Sequence, residues 1–409
     1  MFTLYTGLRT IGGVEQLVVS LSREMREQHL PHKVLVPKGS VVWDLLVGEL
    51  PSDQLLDATA AFGPGPRPPG ARERRRQALA PDDLLLLPNP QDAMRLRFPN
   101  PRVLWWNVFP ETLALGRTRL VRLLNLPLKA HLLRYLIRNN SVCFMDETGV
   151  RWLTRVFRVS IPHPLFLPLP VRAEGPNRYL DKPFPPPDRL TLTSVGRAVD
   201  WKVFPFAHFL NQACALLPIE TVHVFTDHAG KFRRLLSGQC VFPSERLIFH
   251  EGVYDNELKS QIASRADLHF AMGTSALDGA GVGVPTVLLD AFNDLSLTHL
   301  ARYRWVHEAR TQPLGELMTQ ENPISRGRPL AELIPEWQAD PRRLSQLGYA
   351  YVRDEHGLAP ICRRLVELAA NAKGRLRRIH LATALDAMEY LPTWLGWCGT
   401  EPPRATPFA

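Results

Sequence analysis

The chain has 409 residues, 45% of them apolar and 22% charged. That is the composition of a folded globular protein, and the length divides into two or three domains rather than one core. With 49 Lys and Arg against 40 Asp and Glu the net charge is +9, and no apolar run approaches the ~20 residues of a membrane-spanning helix. The five cysteines (143, 214, 240, 362, 398) are widely spaced without a Cys-x-x-Cys pair, which indicates neither a disulfide framework nor a zinc site. The first 25 residues carry no secretory pattern, so a cytoplasmic location is expected. Pro numbers 37 and Arg outnumbers Lys 41 to 8. The codon bias of a GC-rich genome accounts for both, so an arginine by itself does not mark a phosphate ligand.

The predicted elements alternate between strand and helix in both halves. A strand over 2–6 leads through Gly12-Gly13 into a helix reaching about Gln28, with Val14, Leu17, Val18 and Leu21 on one face. Strands follow at 33–37, 84–87, 102–106 and 141–145. Between them lie a glycine- and proline-rich stretch over 63–70 and a basic run over 72–76, read as a surface excursion. In the second half strands are predicted at 190–195, 221–226, 247–249, 267–271 and 286–289, with helices at 204–216, 229–236, 255–264 and 275–282. Residues 358–396 read as mostly helical, interrupted near Pro392. Such alternation predicts two Rossmann-like, doubly wound α/β domains facing a cleft. The proline run over 183–188 cannot continue a helix or a central strand and marks the boundary. The expected domains are 1–182 and 183–360, followed by a helical tail, 361–409, that packs back toward the first domain. The charge divides at the same place: residues 1–182 hold 25 basic and 16 acidic residues, and residues 183–409 hold 24 of each.

Three stretches share the chemistry of binding a diphosphate and a ribose. In Ser194-Val-Gly-Arg-Ala-Val-Asp-Trp-Lys202 a strand ends in a glycine turn, and Arg197 and Lys202 follow five apart. A planar guanidinium fork and a compact ammonium can share one pyrophosphate, or they can be two solvated cations in a loop. In Ala271-Met-Gly-Thr-Ser-Ala-Leu-Asp278 a strand feeds a turn of small residues and a helix. Gly273, Thr274 and Ser275 place N–H groups and hydroxyls at a positive helix terminus, and Asp278 lies one turn in, where a carboxylate can accept from ribose hydroxyls. The plainer alternative is an N-cap at Thr274 or Ser275. In Thr10-Ile-Gly-Gly-Val-Glu15 a glycine pair allows a loop to approach a ligand closely, or simply makes a tight turn.

Taken in order, Gly12-Gly13-Val14-Glu15, Gly196-Arg197 with Lys202, and Asp278 with Gly283-Val284-Pro285 resemble the motifs of family-4-like glycosyltransferases of the GT-B fold. The resemblance runs from about residue 2 to 295. It implies a nucleotide-sugar donor held by the second domain, with Arg197 and Lys202 on the diphosphate, Asp278 on the ribose, and Gly12 and Gly13 against the donor. It also implies a glycan or lipid-linked acceptor held by the first domain, a role in bacterial cell-envelope polysaccharide assembly, and catalysis without a metal or other cofactor. Two positions depart from the family pattern. Its first glutamate is replaced by Phe270, and Asn107 stands where a histidine is common. Candidates for a general base are Glu15 and Glu111, then Asp146 and Glu147. His163 and Asp227-His228 are further polar positions, with an N-cap at Asp227 as the simpler reading of the latter.

Residues 117–138 carry Arg117, Arg119, Arg122, Lys129, Arg134 and Arg138 with no acid, interleaved with leucines. Such a segment can lie on anionic membrane headgroups at the inner face of the cytoplasmic membrane, or pack its leucines on a sheet. Pro127 predicts two short helices there. No nucleic-acid motif is present, so no such partner is expected. Two alternatives to a transferase remain: a sugar-nucleotide epimerase of the same fold, and a non-catalytic GT-B-like binding subunit, which Phe270 and Asn107 favour.

Overall fold

The computed structural model describes residues 1–6, 13–58, 80–88, 100–108, 113, 119–172, 175–182, 189–320, 322 and 325–380. The chain forms two compact units. The first comprises Met1–Leu167 and the chain from Cys362 onward, and the second is Pro168–Ile361.

In the first unit a six-stranded sheet is built from β1 (Phe2–Tyr5), β2 (His32–Val36), β3 (Leu55–Asp57), β4 (Leu84–Leu87), β5 (Arg102–Asn107) and β6 (Val142–Phe144). Its order is β3-β2-β1-β4-β5-β6, and every pairing is parallel. Parallel strands covered by helices on both faces read as unbroken apolar runs, which is why the four leucines of β4 are all buried. The helices are α1 (Gly13–Glu27), α2 (Val41–Leu46), α3 (Arg119–Arg138) and α4 (Glu147–Phe157).

Helix α3 corrects the expectation of two short helices, since it runs through Pro127 unbroken. Proline removes one intrahelical hydrogen bond and crowds the preceding turn. The packing beyond it offsets that cost: Ala130, Leu132, Leu133 and Leu136 are buried in the unit's core, at roughly 1.5–3 kcal/mol for each full-sized apolar side chain. These leucines therefore pack on the sheet, and the outward stripe of α3 is His131, Arg134 and Arg138, all exposed.

The second unit repeats the winding. Its strands are β7 (Leu190–Val195), β8 (Ile219–Thr226), β9 (Leu247–Glu251), β10 (Leu268–Ala271), β11 (Thr286–Leu288) and β12 (Arg304–Trp305). They lie in the order β12-β11-β10-β7-β8-β9, parallel except for the antiparallel edge strand β12. Helices α5 (Asp200–Leu216), α6 (Ala229–Leu236), α7 (Asp255–Arg265) and α8 (Thr274–Gly281) link the strands. Then come α9 (Leu330–Ala339), α10 (Pro341–Tyr351), a π-helical turn over Val352–His356 and α11 (Leu358–Asn371). In each sheet the winding reverses beside the first strand, between β1 and β4 and between β7 and β10. Such switch points form the ligand crevice at the carboxyl ends of the strands. The two doubly wound α/β domains are thus as expected from the sequence.

The boundary of the second unit lies at Leu167/Pro168 instead of 182/183. Residues 168–182 are tied to the second sheet and its helices: Val171 N–H donates to His356 O at 2.7 Å, Tyr179 hydroxyl to Asp267 O at 3.2 Å, and Lys182 Nζ to Ala266 O at 2.9 Å. The proline run over 183–188 and residues 381–409 lie outside the described residues. From Cys362 the chain rejoins the first unit. Val103 N–H donates to Gly374 O at 2.9 Å, Gly374 N–H to Ser141 Oγ at 2.7 Å, and Leu376 and Ile379 enter the core. Gly374 must be small, because a Cβ there would lie 2.7 Å from Ser141 Oγ. Among the described residues no helix is long and apolar enough to cross a membrane.

Candidate functional site

The carboxyl ends of β7 and β10 flank the switch point of the second sheet, and the two motifs predicted to bind phosphate sit there. Ser194 Oγ, near the end of β7, donates to Phe270 O on β10 at 2.8 Å, which locks the two strand ends together. Gly196 N–H donates to Phe225 O at 3.0 Å, so the turn stays bonded to the sheet. Two residues further on, Ala198 N–H donates to the Asp227 carboxylate at 2.7 Å, and that carboxylate also accepts from Thr226 Oγ1 at 3.2 Å. Asp227 at the end of β8 thereby holds the neighbouring turn. It does not cap its own helix: the capping residue of α6 is His228, whose Nδ1 accepts from Lys231 N–H at 3.4 Å.

Held this way, the turn presents two cations. Arg197 is exposed and Lys202, in the first turn of α5, is half-buried. Among the described residues neither side chain makes a hydrogen bond or an ion pair. The Lys202 ammonium lies 5.3 Å from the centre of the Trp201 ring. Burial, followed by the repulsion of Arg197, lowers the Lys202 pKa to about 8, with Asp227 acting in the opposite sense. A half-buried cation that feels the charge of a second cation is short of negative charge, and an anion at the turn would supply it. Lys202, Gly196 and Met272 line one pocket, which brings the β7 and β10 turns to a common edge.

Gly273 leads the second turn with φ +66° and ψ −145°. A side chain there would meet no atom within 4 Å, so glycine is required for the backbone angle and not for space. Gly273 is the N-cap of α8 and gives no side-chain cap, which corrects the N-cap reading of Thr274 and Ser275. Thr274 is exposed and Ser275 half-buried. Among the described residues their N–H groups donate to nothing, so the positive terminus of α8 opens outward with uncommitted donors. Asp278 lies one turn further in, half-buried.

A histidine in the sheet fixes this terminus. His269 on β10 is fully buried, with Nδ1 2.8 Å from Thr193 Oγ1 and Nε2 3.1 Å from Ser275 O. A carbonyl only accepts, so Nε2 carries the proton and Nδ1 accepts from the threonine hydroxyl. Burial lowers the His269 pKa to about 4, and the ring is neutral at physiological pH. Gly279 makes room for it: a Cβ there would lie 2.3 Å from His269 Cδ2. The adjacent Phe270 is fully buried, stacked on Phe206 and Phe209 at 5.3 and 4.3 Å between ring centres. It is a core residue.

The residues predicted in the first unit are placed differently. Gly13 opens α1, and Gly12 and Glu111 lie outside the described residues. Glu15 is buried and accepts from Thr6 Oγ1 at 2.8 Å, which ties α1 to the end of β1. Asn107 ends β5 and is buried against α4, where a Cβ on Gly149 would lie 2.2 Å from its Oδ1. Asp146 caps α4, accepting from Thr148 N–H at 2.7 Å. His163 is exposed. Sequence reasoning missed the roles of Asp227 and His269. For Asp227 the signal was an aspartate directly after a strand, and for His269 a histidine inside an apolar strand.

Two doubly wound six-stranded units in one chain, with the open helix terminus and cations at the switch point of the second, define the GT-B fold. The sequence matches no family model and no curated protein. Among solved structures, a glycosyltransferase from Rickettsia africae aligns over 91% of this chain and 98% of its own, with a TM-score of 0.57 at 10% identity. Alr3699/HepE of Anabaena, solved in complex with UDP and glucose, aligns over 90% and 99% with a TM-score of 0.53 at 12% identity. The lipopolysaccharide outer core galactosyltransferase WaaB, in its apo form, aligns over 90% and 99% with a TM-score of 0.51 at 8% identity.

Proposed function

We propose that this protein is a glycosyltransferase whose second unit binds a nucleotide-sugar donor and whose first unit binds a glycan or lipid-linked acceptor in cell-envelope polysaccharide assembly. The observation that carries the proposal is the pair Arg197 and Lys202, without ion-pair partners among the described residues, beside the glycine-led terminus of α8 at the switch point, which has no side-chain cap. A diphosphate seated there satisfies all of these groups at once. When the glycosidic bond to the donor phosphate breaks, negative charge grows on that phosphate. Arg197, Lys202 and the N–H groups of Thr274 and Ser275 are positioned to stabilise it. In this reading Asp278 accepts from ribose hydroxyls, no metal or other cofactor is needed, and a hexose is the transferred sugar. The alignment with HepE, solved with UDP and glucose, is consistent with this donor class.

The acceptor side of the proposal includes contact with the anionic inner face of the cytoplasmic membrane. Its support is a cationic face built from two parts of the chain. Arg134 and Arg138 project from α3, and Lys373, Arg377 and Arg378 are exposed on the returning segment. Lys373 N–H donates to Asn139 O at 2.9 Å, and the Arg378 guanidinium lies 5.6 Å from the centre of the Tyr135 ring.

Thermal shift with UDP-, GDP-, TDP- and CMP-sugars identifies the donor, since only a ligand of the folded state raises the melting temperature. With that donor, Lys202→Ala is expected to weaken binding about 100-fold and Arg197→Ala about 10-fold, in line with charge-assisted bonds of ~1.5–3 kcal/mol. Unchanged affinity in both variants overturns the donor assignment. The burial of Phe270, which leaves no acid at that position, favours a second reading as a non-catalytic donor-binding subunit. Donor binding without any sugar transfer or hydrolysis would select it.

A further inference from the structure

Beside the β10 turn lies a buried polar network that the donor reading leaves unused. Asp290, two residues past β11, and Arg304, the first residue of β12, form an ion pair at 3.3 Å, and both are almost fully buried. Most of their hydrogen bonds go to Pro313, Glu316, Ser325 and Arg326. Arg304 Nη2 donates to Pro313 O at 2.8 Å, and Arg304 Nη1 donates to Arg326 O at 3.0 Å. The Asp290 carboxylate accepts from Glu316 N–H at 2.9 Å, from Ser325 Oγ at 2.9 Å and from Arg326 N–H at 3.2 Å. A buried ion pair is weak evidence for stability, because apolar residues of similar size often serve as well. What apolar residues cannot do is fix the path of this loop.

The loop in turn fixes Gly273. Leu314 O accepts the Gly273 N–H. Gly315, at φ +123°, lies so close to the turn that a Cβ would be 2.8 Å from Met272 Cβ and 2.9 Å from Leu289 O. Ala291 N–H donates to Glu316 O at 2.7 Å and Met318 N–H to Ala291 O at 2.8 Å, so the loop is also paired to the chain leaving β11. Uncommon backbone conformations such as that of Gly273 persist only where their surroundings over-determine them.

We propose that Asp290 and Arg304 are positioning residues for the diphosphate site: through the backbone of residues 313–316 they hold Gly273 in the conformation that opens the α8 terminus. The inference rests on the donor reading. Arg304→Lys keeps the charge beside Asp290 but cannot reach both Asp290 and Pro313 O, since an ammonium lacks the guanidinium fork. The probe is whichever of UDP, GDP and TDP binds the wild-type protein, compared with its parent nucleoside. The diphosphate is expected to bind Arg304→Lys about 10-fold more weakly, with nucleoside affinity unchanged. Hydrogen exchange of the unliganded chain gives a second readout. The Gly273 amide should lose protection in Arg304→Lys and in Asp290→Asn, while the amides of β7 and β10 keep theirs. Wild-type diphosphate affinity in Arg304→Lys, equal losses for diphosphate and nucleoside, or an unchanged Gly273 amide overturns the inference. If no nucleoside diphosphate binds the wild-type protein, the donor reading has failed and the inference falls with it.

Discussion

The two units share one winding order and use the carboxyl ends of their strands in opposite ways. In the first unit the polar residues at those ends are spent internally: Glu15 accepts from Thr6, Asp146 caps its own helix, and Asn107 packs against Gly149. In the second unit the turn after β7 leaves Arg197 and Lys202 without ion-pair partners among the described residues, and the turn after β10 leaves a helix terminus without a side-chain cap. Net charge runs the other way. Counted by unit, the first has 29 basic and 18 acidic residues, and the second has 20 and 22. The nearly neutral unit concentrates two cations at one strand end, while among the described residues of the basic unit Arg134, Arg138, Lys373, Arg377 and Arg378 are exposed. A local pair of cations and a broader basic balance are different electrostatic devices.

Acid should separate the units most strongly. His223, His269 and His356 all belong to the second unit, are buried, and have pKa values lowered to about 4, with burial as the main cause in each. In the unfolded chain these rings titrate near 6.5. As pH falls below 6.5 the unfolded state takes up protons that the folded state refuses, so stability is lost progressively between about 6.5 and 4. Each ring accounts for on the order of 2–3 kcal/mol across that window. Among the described residues of the first unit, one histidine, His32, shows a lowered pKa. Hydrogen exchange at pH 7 and pH 5 is therefore expected to show far greater loss of protection in residues 168–361. Equal losses in both units would break the comparison.

A smaller effect, in a higher pH window, belongs to Lys202. Its folded pKa of about 8 lies below the ordinary value of 10.5, so the folded protein gives up this proton first as pH rises. Two consequences follow from the same shift. Affinity for a nucleoside diphosphate should fall about 10-fold per pH unit above 8. Stability of the unliganded chain should rise between about pH 8 and 10.5, because there the unfolded state holds more protons. Lys202→Met should remove both slopes. Binding that stays flat from pH 7 to 9.5 in the wild-type protein would mean that Lys202 does not meet the phosphate.

How much of this was legible in the sequence depended on whether a residue acts through its neighbours in the chain. The strand β4 was visible because a buried parallel strand is a continuous apolar run. Arg197, Lys202 and Gly273 were visible because a strand, a glycine turn and a helix are consecutive. Asp227 and His269 were not, because their partners lie 29 and 76 residues before them. The boundary at 182/183 was misplaced for the same reason, since proline marks a break in regular structure but not which unit a segment packs on. Pro127 misled in the same way, because packing of α3 outweighed a local penalty.

The two strand-end aspartates offer the finest comparison between the units. Asp146 and Asp227 both stand between a strand and a helix. The first accepts from Thr148 N–H inside its own helix, and the second from Ala198 N–H on the neighbouring turn. Removing either carboxylate leaves an amide unsatisfied, at about 1–2 kcal/mol. The cost should appear in different measurements. Asp146→Ala is expected to lower the melting temperature and leave nucleoside diphosphate affinity untouched. Asp227→Ala is expected to weaken that affinity several-fold at pH 6, where Lys202 is charged, because the β7 turn loses its anchor. Asp227→Asn separates anchor from charge. It retains an oxygen for Ala198 N–H but removes the carboxylate that raises the Lys202 pKa. The pH midpoint of diphosphate binding should then move below 8 with the affinity at pH 6 preserved. A midpoint that does not move in Asp227→Asn would leave Asp227 a purely structural anchor, like Asp146.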